Sequence, residues 1–260
     1  MSLTPPDSLA ATAALPPAFL ARPIAHRALH GAGRPENSLA AVRAAVGAGY
    51  GIEIDLQPSA DGVAMVFHDE GLERLTGEAG PVAGRTAAEL GAIRLTGGEE
   101  GIPTFAEVLA LVAGRVPLLV EIKDQDGALG PSVGALEAAA ARAAEGYAGP
   151  LAFMSFNPAS VAAMAALAPG VPRGLTTAAF RADDWPEVPE ARRARLREMK
   201  DLARTGAAFI SHEAADLSSA PVARAKAAGL AVFCWTIRSP EAEAAARRYA
   251  DNVTFEGYLP

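Results

Sequence analysis

The chain is poor in cysteine. Cys234 is the only one in 260 residues, which rules out an intrachain disulfide and with it a disulfide-stapled scaffold. It lies in the apolar run Val232-Phe233-Cys234 and is read as a core residue, not a nucleophile. Aromatic residues are scarce at 6%, so alanine-rich helices are expected to supply much of the packing volume. Positive charge is also in deficit. Lys and Arg number 23 against 30 Asp and Glu, giving −7 overall, and a surface of that sign repels polyanions, so nucleic acid is not an expected partner. A small anionic substrate stays compatible, because a metal and a few local cations reverse the field inside a cleft.

Long apolar runs are missing as well. Residues 146–172 carry no charge, but Pro150, Pro158, Pro169 and Pro172 break them into a strand, a short helix and turns, which argues against a membrane span. No basic residue precedes Arg22, and Pro16-Pro17 interrupts the early apolar stretch, so no signal peptide is expected. These absences predict a soluble, cytoplasmic protein without integral membrane association.

What is present is alternation. Half of the residues are apolar, and short apolar runs alternate with helical segments, as in a parallel α/β fold. Eight runs read as strands: Pro23–His26, Ile52–Leu56, Ala64–His68, Pro117–Lys123, Leu151–Phe156, Arg173–Thr177, Ala208–His212 and Ala231–Ile237. Eight is the number that closes a TIM (β/α)8 barrel, expected here as one domain with residues 1–20 as a lead-in. Helix starts are marked by the capping-box pairs Thr86/Glu89 and Thr104/Glu107, and by Asn157-Pro158 and Ser239-Pro240. After Ser38, Leu39, Val42 and Val46 repeat at helical spacing until Gly47 and Gly49 stop them. Residues 70–103, rich in Gly and charge, read as an insertion or lid. The link from Leu56 to Ala64 is too short for a crossover helix. Asp61-Gly62 signals a tight hairpin that would set His68 against Asp55, while a parallel arrangement with an extended return loop stays open.

The chemistry lies at the strand ends. Ile52–Leu56 reads Ile-Glu-Ile-Asp-Leu, so Glu53 and Asp55 share one face, as do Glu121 and Lys123 on a later strand. Pro23–His26 runs into His26-Arg27, and Ala64–His68 into His68-Asp69. Carboxylates at the ends of apolar strands are costly to bury unless their charge is compensated. Glu53, Asp55 and Glu121 suit one hard divalent cation, Mg²⁺ or Ca²⁺. A bland alternative is an internal ion pair of Glu53 with Arg27 or Lys123, but four strands ending in ionisable residues favour a site at the C-terminal face of a barrel. His30, in a Gly-rich loop, is expected to face solvent. His212 ends a strand and is weighed as a supporting residue more than a contact.

Taken in order, Ala25-His26-Arg27, Pro35-Glu36-Asn37-Ser38, Glu53-Ile54-Asp55, Asp61-Gly62, Phe67-His68-Asp69, Arg74-Leu75-Thr76-Gly77, Ile102-Pro103-Thr104, Glu121-Ile122-Lys123, Ser155-Phe156 and Trp235-Thr236 make a specific series. From about residue 23 to the end, the chain resembles the glycerophosphodiester phosphodiesterase family. It departs from the usual pattern at Ala28, where the family has Gly, and at Ser38, where Thr is more frequent. The resemblance implies a metal-dependent TIM-barrel hydrolase acting on a small-molecule glycerophosphodiester. It implies metal binding by Glu53, Asp55 and Glu121, acid–base catalysis by His26 and His68, and phosphate contacts from Arg27 and Lys123. Glu36 would orient the His-Arg pair, Trp235 would pack on the glycerol carbons, and Ser155 would form part of the pocket wall. Competing readings are a lysophospholipase D or sphingomyelinase D-like phosphodiesterase, and a non-enzymatic phosphometabolite-binding barrel. A glycosidase with two carboxylates leaves the His-Arg pair and Lys123 unexplained.

Overall fold

The computed structural model describes residues 13–260, so most of the expected lead-in, residues 1–12, lies outside the described residues. Among the described residues, nine strands form one sheet: β1 Ile24–Ala25, β2 Gly51–Pro58, β3 Ala64–Val66, β4 Leu118–Ile122, β5 Leu151–Ser155, β6 Arg173–Thr177, β7 Phe209–Glu213, β8 Ala231–Ile237 and β9 Asn252–Phe255. The parallel strands run β1-β2-β4-β5-β6-β7-β8-β9, and β1 pairs with both β2 and β9, closing an eight-stranded TIM-type barrel.

The expected strand inventory needs one exchange. Ala64–His68 is not a barrel strand: Ala64–Val66 folds back antiparallel onto β2, which protrudes past its parallel neighbours. The eighth barrel strand is Asn252–Phe255, four residues with a polar inward face and therefore little apolar signature. The hairpin between β2 and β3 is also one residue out of the expected register. Leu56 faces Val66, and the Phe67 amide donates to the Asp55 carbonyl, leaving His68 just beyond the ladder. The turn itself is the cause. Ser59 and Val63 close a three-residue loop in which Gly62 takes a left-handed φ of 76°, a longer connection than the two-residue turn expected at Asp61-Gly62.

The strands alternate between two environments. Ile52, Ile54 and Leu56 of β2 join the outer core with Ala41, Val42 and Phe105 of the surrounding helices. Residues of opposite parity face the barrel axis. At one end of the axis, Ile24, Leu119, Ala152, Met154, Phe209 and Phe233 form an apolar plug, completed by Phe19 from the short helix Ala18–Ala21. Asn252 fastens that helix by donating to the carbonyls of Phe19 and Arg22, each at 2.7 Å. The other end is polar, so the plug excludes water from one mouth and leaves the opposite one as the cleft.

Local signals place the helices as expected. Ser38, Thr86, Thr104, Asn157 and Ser239 each accept a hydrogen bond from a backbone amide at a helix start, and both capping boxes form. Gly49, left-handed, ends the helix Leu39–Ala48. Residues 70–103 hold the helices Glu73–Thr76 and Ala87–Ala92 around a small core of Met65, Phe67, Leu72, Val82, Leu90, Leu95 and Ile102. Cys234 is fully buried, and burial pushes its thiol up to about 12, in keeping with a packing role.

Candidate active site

At the C-terminal ends of the barrel strands, a cleft of about 480 Å³ is lined by His26, Arg27, Glu53, Asp55, His68, Glu121, Lys123 and Trp235. These are eight of the ten residues given a place in the site from the sequence; of the other two, Glu36 stands behind Arg27 and Ser155 lies outside the lining. Parallel register explains the convergence. Asp55 pairs with Glu121 across β2 and β4, so two carboxylates of one face lie side by side, and Glu53 joins them one inward step lower on β2.

One oxygen from each of Glu53, Asp55 and Glu121 lies within 4.8 Å of the others, and all three residues are buried. Two cations partly offset this charge. Lys123 Nζ lies 2.7 Å from Asp55 Oδ1 and 2.9 Å from Glu121 Oε1, and Arg27 Nε lies 3.8 Å from Asp55 Oδ2. Asn37 donates to Asp55 at 2.9 Å. Burial alone would push the Asp55 carboxyl up, but Lys123, His68 and Arg27 outweigh it and hold it well below the usual carboxylate range. Glu53 receives only the backbone amide of Arg27, at 2.8 Å, and the weaker pull of Lys123. Burial, with Asp55 and Glu121 nearby, drives its carboxyl well above the ordinary value. The cluster is thus under-compensated at one member, and its all-oxygen donor set fits a hard divalent cation better than zinc.

The two imidazoles are held in matching fashion. His26 Nδ1 is 2.6 Å from Glu256 Oε2, and His68 Nδ1 is 2.6 Å from Asp69 Oδ1. Each carboxylate is clamped by an arginine: Arg238 Nε donates to Glu256 at 2.7 Å and Arg74 Nε to Asp69 at 2.5 Å. Burial and the charge of Lys123 lower the pKa of His68 despite Asp55 and Asp69, favouring its neutral form. Glu36 accepts from Arg27 at 2.8 Å and from both terminal nitrogens of Arg74, tying the two halves of the site together.

The backbone that presents Arg27 is unusual. Arg27 and Ala28 are both left-handed, with φ of 51° and 64°. A left-handed alanine costs roughly 1–2 kcal/mol relative to ordinary backbone, and this is the position where the family pattern has Gly. The fold tolerates Ala28 with its methyl buried, while its amide donates to the Glu53 carbonyl at 2.9 Å.

Trp235 and Phe156 form an aromatic wall, their rings in edge contact at 5.6 Å between centroids, and the indole NH donates to the Ser211 carbonyl. Thr176, Ser211 and Thr254 line the buried floor with hydroxyls that have no protein hydrogen-bond partner. Ser155 does not line the cleft; its hydroxyl donates to the Ile122 carbonyl at 2.7 Å and accepts from the Asn157 amide. His212 does not line it either. It is buried between Thr177 and Asp216, at 2.8 and 3.2 Å. His30, expected in solvent, is instead half-buried, with Nε2 3.7 Å from Glu256. Glu256 is the participant that sequence reading missed. A carboxylate directly after Val253-Thr254-Phe255 has the same pattern as Glu53 and Glu121, and recognising β9 would have exposed it.

The C-terminal face of the closed α/β barrel thus carries a polar cleft in which a buried acidic cluster that could hold a metal ion lies beside Arg27, Lys123 and two imidazoles. Residues 26–254 match the model of the glycerophosphoryl diester phosphodiesterase family, and the chain belongs to that family. A glycerophosphodiester phosphodiesterase of Caldanaerobacter subterraneus subsp. tengcongensis is 38% identical over 100 residues, a match spanning 36% of this chain and 41% of that relative. A phosphodiesterase of Oleispira antarctica, solved in complex with the product sn-glycerol-3-phosphate, superposes with a TM-score of 0.72 at 28% identity, covering 92% of this chain and 93% of its own. A glycerophosphodiester phosphodiesterase of Thermotoga maritima shares the fold with a TM-score of 0.69 at 22% identity, covering 90% of this chain and 94% of that one. Among the described residues, no helix is long and apolar enough to cross a membrane.

Proposed function

We propose that this chain hydrolyses glycerophosphodiesters to sn-glycerol 3-phosphate and an alcohol, with Glu53, Asp55 and Glu121 holding one divalent cation, Mg²⁺ or Ca²⁺. The observation that carries this reading is the convergence of three buried carboxyl groups with Arg27, Lys123 and two imidazoles in one cleft. The Oleispira relative, bound to sn-glycerol-3-phosphate, supports the choice of product.

When bound, the cation supplies fixed positive charge for the phosphoryl oxygens. Arg27 and Lys123 bind the remaining phosphoryl charge and keep the phosphorus in line for displacement. His26 and His68 act as the acid–base pair: one imidazole takes the proton of the attacking hydroxyl, the other gives one to the departing alkoxide. They follow different strands, β1 and β3, and each is held by its own carboxylate, so two separate groups are available for the two proton transfers. Glu36 holds the guanidinium of Arg27 in place, and Trp235 packs against the glycerol carbons.

A lysophospholipid or sphingomyelin substrate finds less support. Unpartnered hydroxyls floor the cleft and the charged Glu213 and Arg238 also line it, a setting that suits a polar head group better than an acyl chain. A purely binding role would leave the paired imidazoles without a task. The test is hydrolysis of glycerophosphocholine by the purified chain, with sn-glycerol 3-phosphate as the measured product. Turnover with Mg²⁺ or Ca²⁺ and its loss in chelator are expected; no product from any of several glycerophosphodiesters would refute the reading.

A further inference from the structure

The acid–base pair leaves one strong contact unused. Glu256 follows β9, and the pairing of Phe255 with Ala25 sets the residue after β9 beside the residue after β1, which is His26. The backbone confirms the juxtaposition, because the His26 amide donates to the Phe255 carbonyl at 2.9 Å. We propose that Glu256, clamped by Arg238, is a positioning residue that fixes the ring orientation and tautomer of His26; this rests on the reading that His26 transfers a proton.

The argument is one of donors and acceptors. An ionised carboxylate only accepts hydrogen bonds. Arg238 binds Oε1 through two nitrogens of its guanidinium and keeps Glu256 ionised. At 2.6 Å from Oε2, Nδ1 of His26 must therefore carry the hydrogen. In the neutral ring Nε2 is then left as a bare acceptor, the form a proton-transferring histidine needs at the nitrogen offered to substrate. Arg238 makes the arrangement directional, since its contacts at 2.6 and 2.7 Å occupy Oε1 and leave Oε2 for the ring. The same construction recurs at His68, where Asp69 is gripped by Arg74. A carboxylate present merely to pair with Arg238 on the rim would need no short contact to the imidazole.

Two measurements on the 260-residue chain with Mg²⁺ test this. Nitrogen-15 NMR of the histidine rings reads the tautomer of His26 directly, and steady-state kinetics read turnover. In the wild type, His26 is expected as the Nδ1–H tautomer. Glu256→Ala is expected to give a mixture of tautomers and to lower kcat about 100-fold, within the range set by acid–base groups, with KM changed about twofold or less. Glu256→Asp is expected to keep the tautomer and recover part of kcat. A wild-type Nε2–H tautomer overturns the proposal, whether or not the alanine variant folds. So does an alanine variant that retains both tautomer and kcat. If the wild type hydrolyses no glycerophosphodiester, the proposed function falls, and the tautomer comparison still decides the role of Glu256.

Discussion

Three carboxyl groups crowded into a buried cleft set up opposing demands on stability and function, and Glu53 and Asp55 respond to them differently. Asp55 is matched by Lys123 and Asn37, so Asp55→Asn removes one partner of a buried ion pair. That change is expected to lower the metal-free unfolding free energy by about 3 kcal/mol. Glu53 is the under-compensated member, repelled by both neighbours. Glu53→Gln is expected to raise metal-free stability by about 1 kcal/mol while weakening cation binding, a trade of function against stability. Urea denaturation in chelator measures both, and shifts of the same sign would contradict the account.

His212 supplies a separate pH dependence at the residue scale. Burial lowers its pKa below the ordinary 6.5, against the pull of Asp216, so the folded protein holds it neutral. Above about pH 6.5 both states bind no proton there and its effect is flat; below, the unfolded chain takes a proton that the folded one resists, and stability falls with pH. His212→Asn is expected to lose less stability than the wild type between about pH 7.5 and pH 5.5. Parallel losses would sink that attribution. The residues that converge on the cleft were legible because polar side chains on otherwise apolar strands stand out. His30 was not, since its half-buried position depends on a loop that sequence period does not describe.

Among the elements, the sequence showed the helix starts most clearly, because Thr104 with Glu107 and Asn157 before Pro158 encode their geometry in side-chain chemistry a few residues apart. The central strands followed from apolar runs buried on both faces. What escaped was β9, whose inward Asn252 and Thr254 break the run, and the hairpin register, set by the left-handed Gly62 rather than by strand pattern. Missing β9 also hid Glu256. Asn252 has a structural task of its own, tying the helix Ala18–Ala21 to the barrel plug. Asn252→Ala would leave two carbonyls short of a donor in a buried setting and is expected to cost about 2 kcal/mol. Denaturant unfolding checks this, and a change under about 0.5 kcal/mol would show that the fastening is unimportant.

For the whole molecule, barrel closure is what turns scattered strand-end residues into one cleft: β1 must pair with both β2 and β9 before His26, Glu53 and Glu256 can meet. The negative charge of the cleft is only partly offset by Arg27 and Lys123, and a bound cation would complete the reversal that an anionic phosphodiester requires. A cation held by the folded state alone must also stabilise it, by about 2.7 kcal/mol at a concentration 100 times its Kd. Isothermal titration of Mg²⁺ and Ca²⁺ into the wild type and into Glu121→Gln tests the central claim most directly. One site per chain in the wild type, weakened at least about tenfold in the variant, is the expected result. Equal affinity in the two proteins, or no saturable binding to the wild type, would contradict the account.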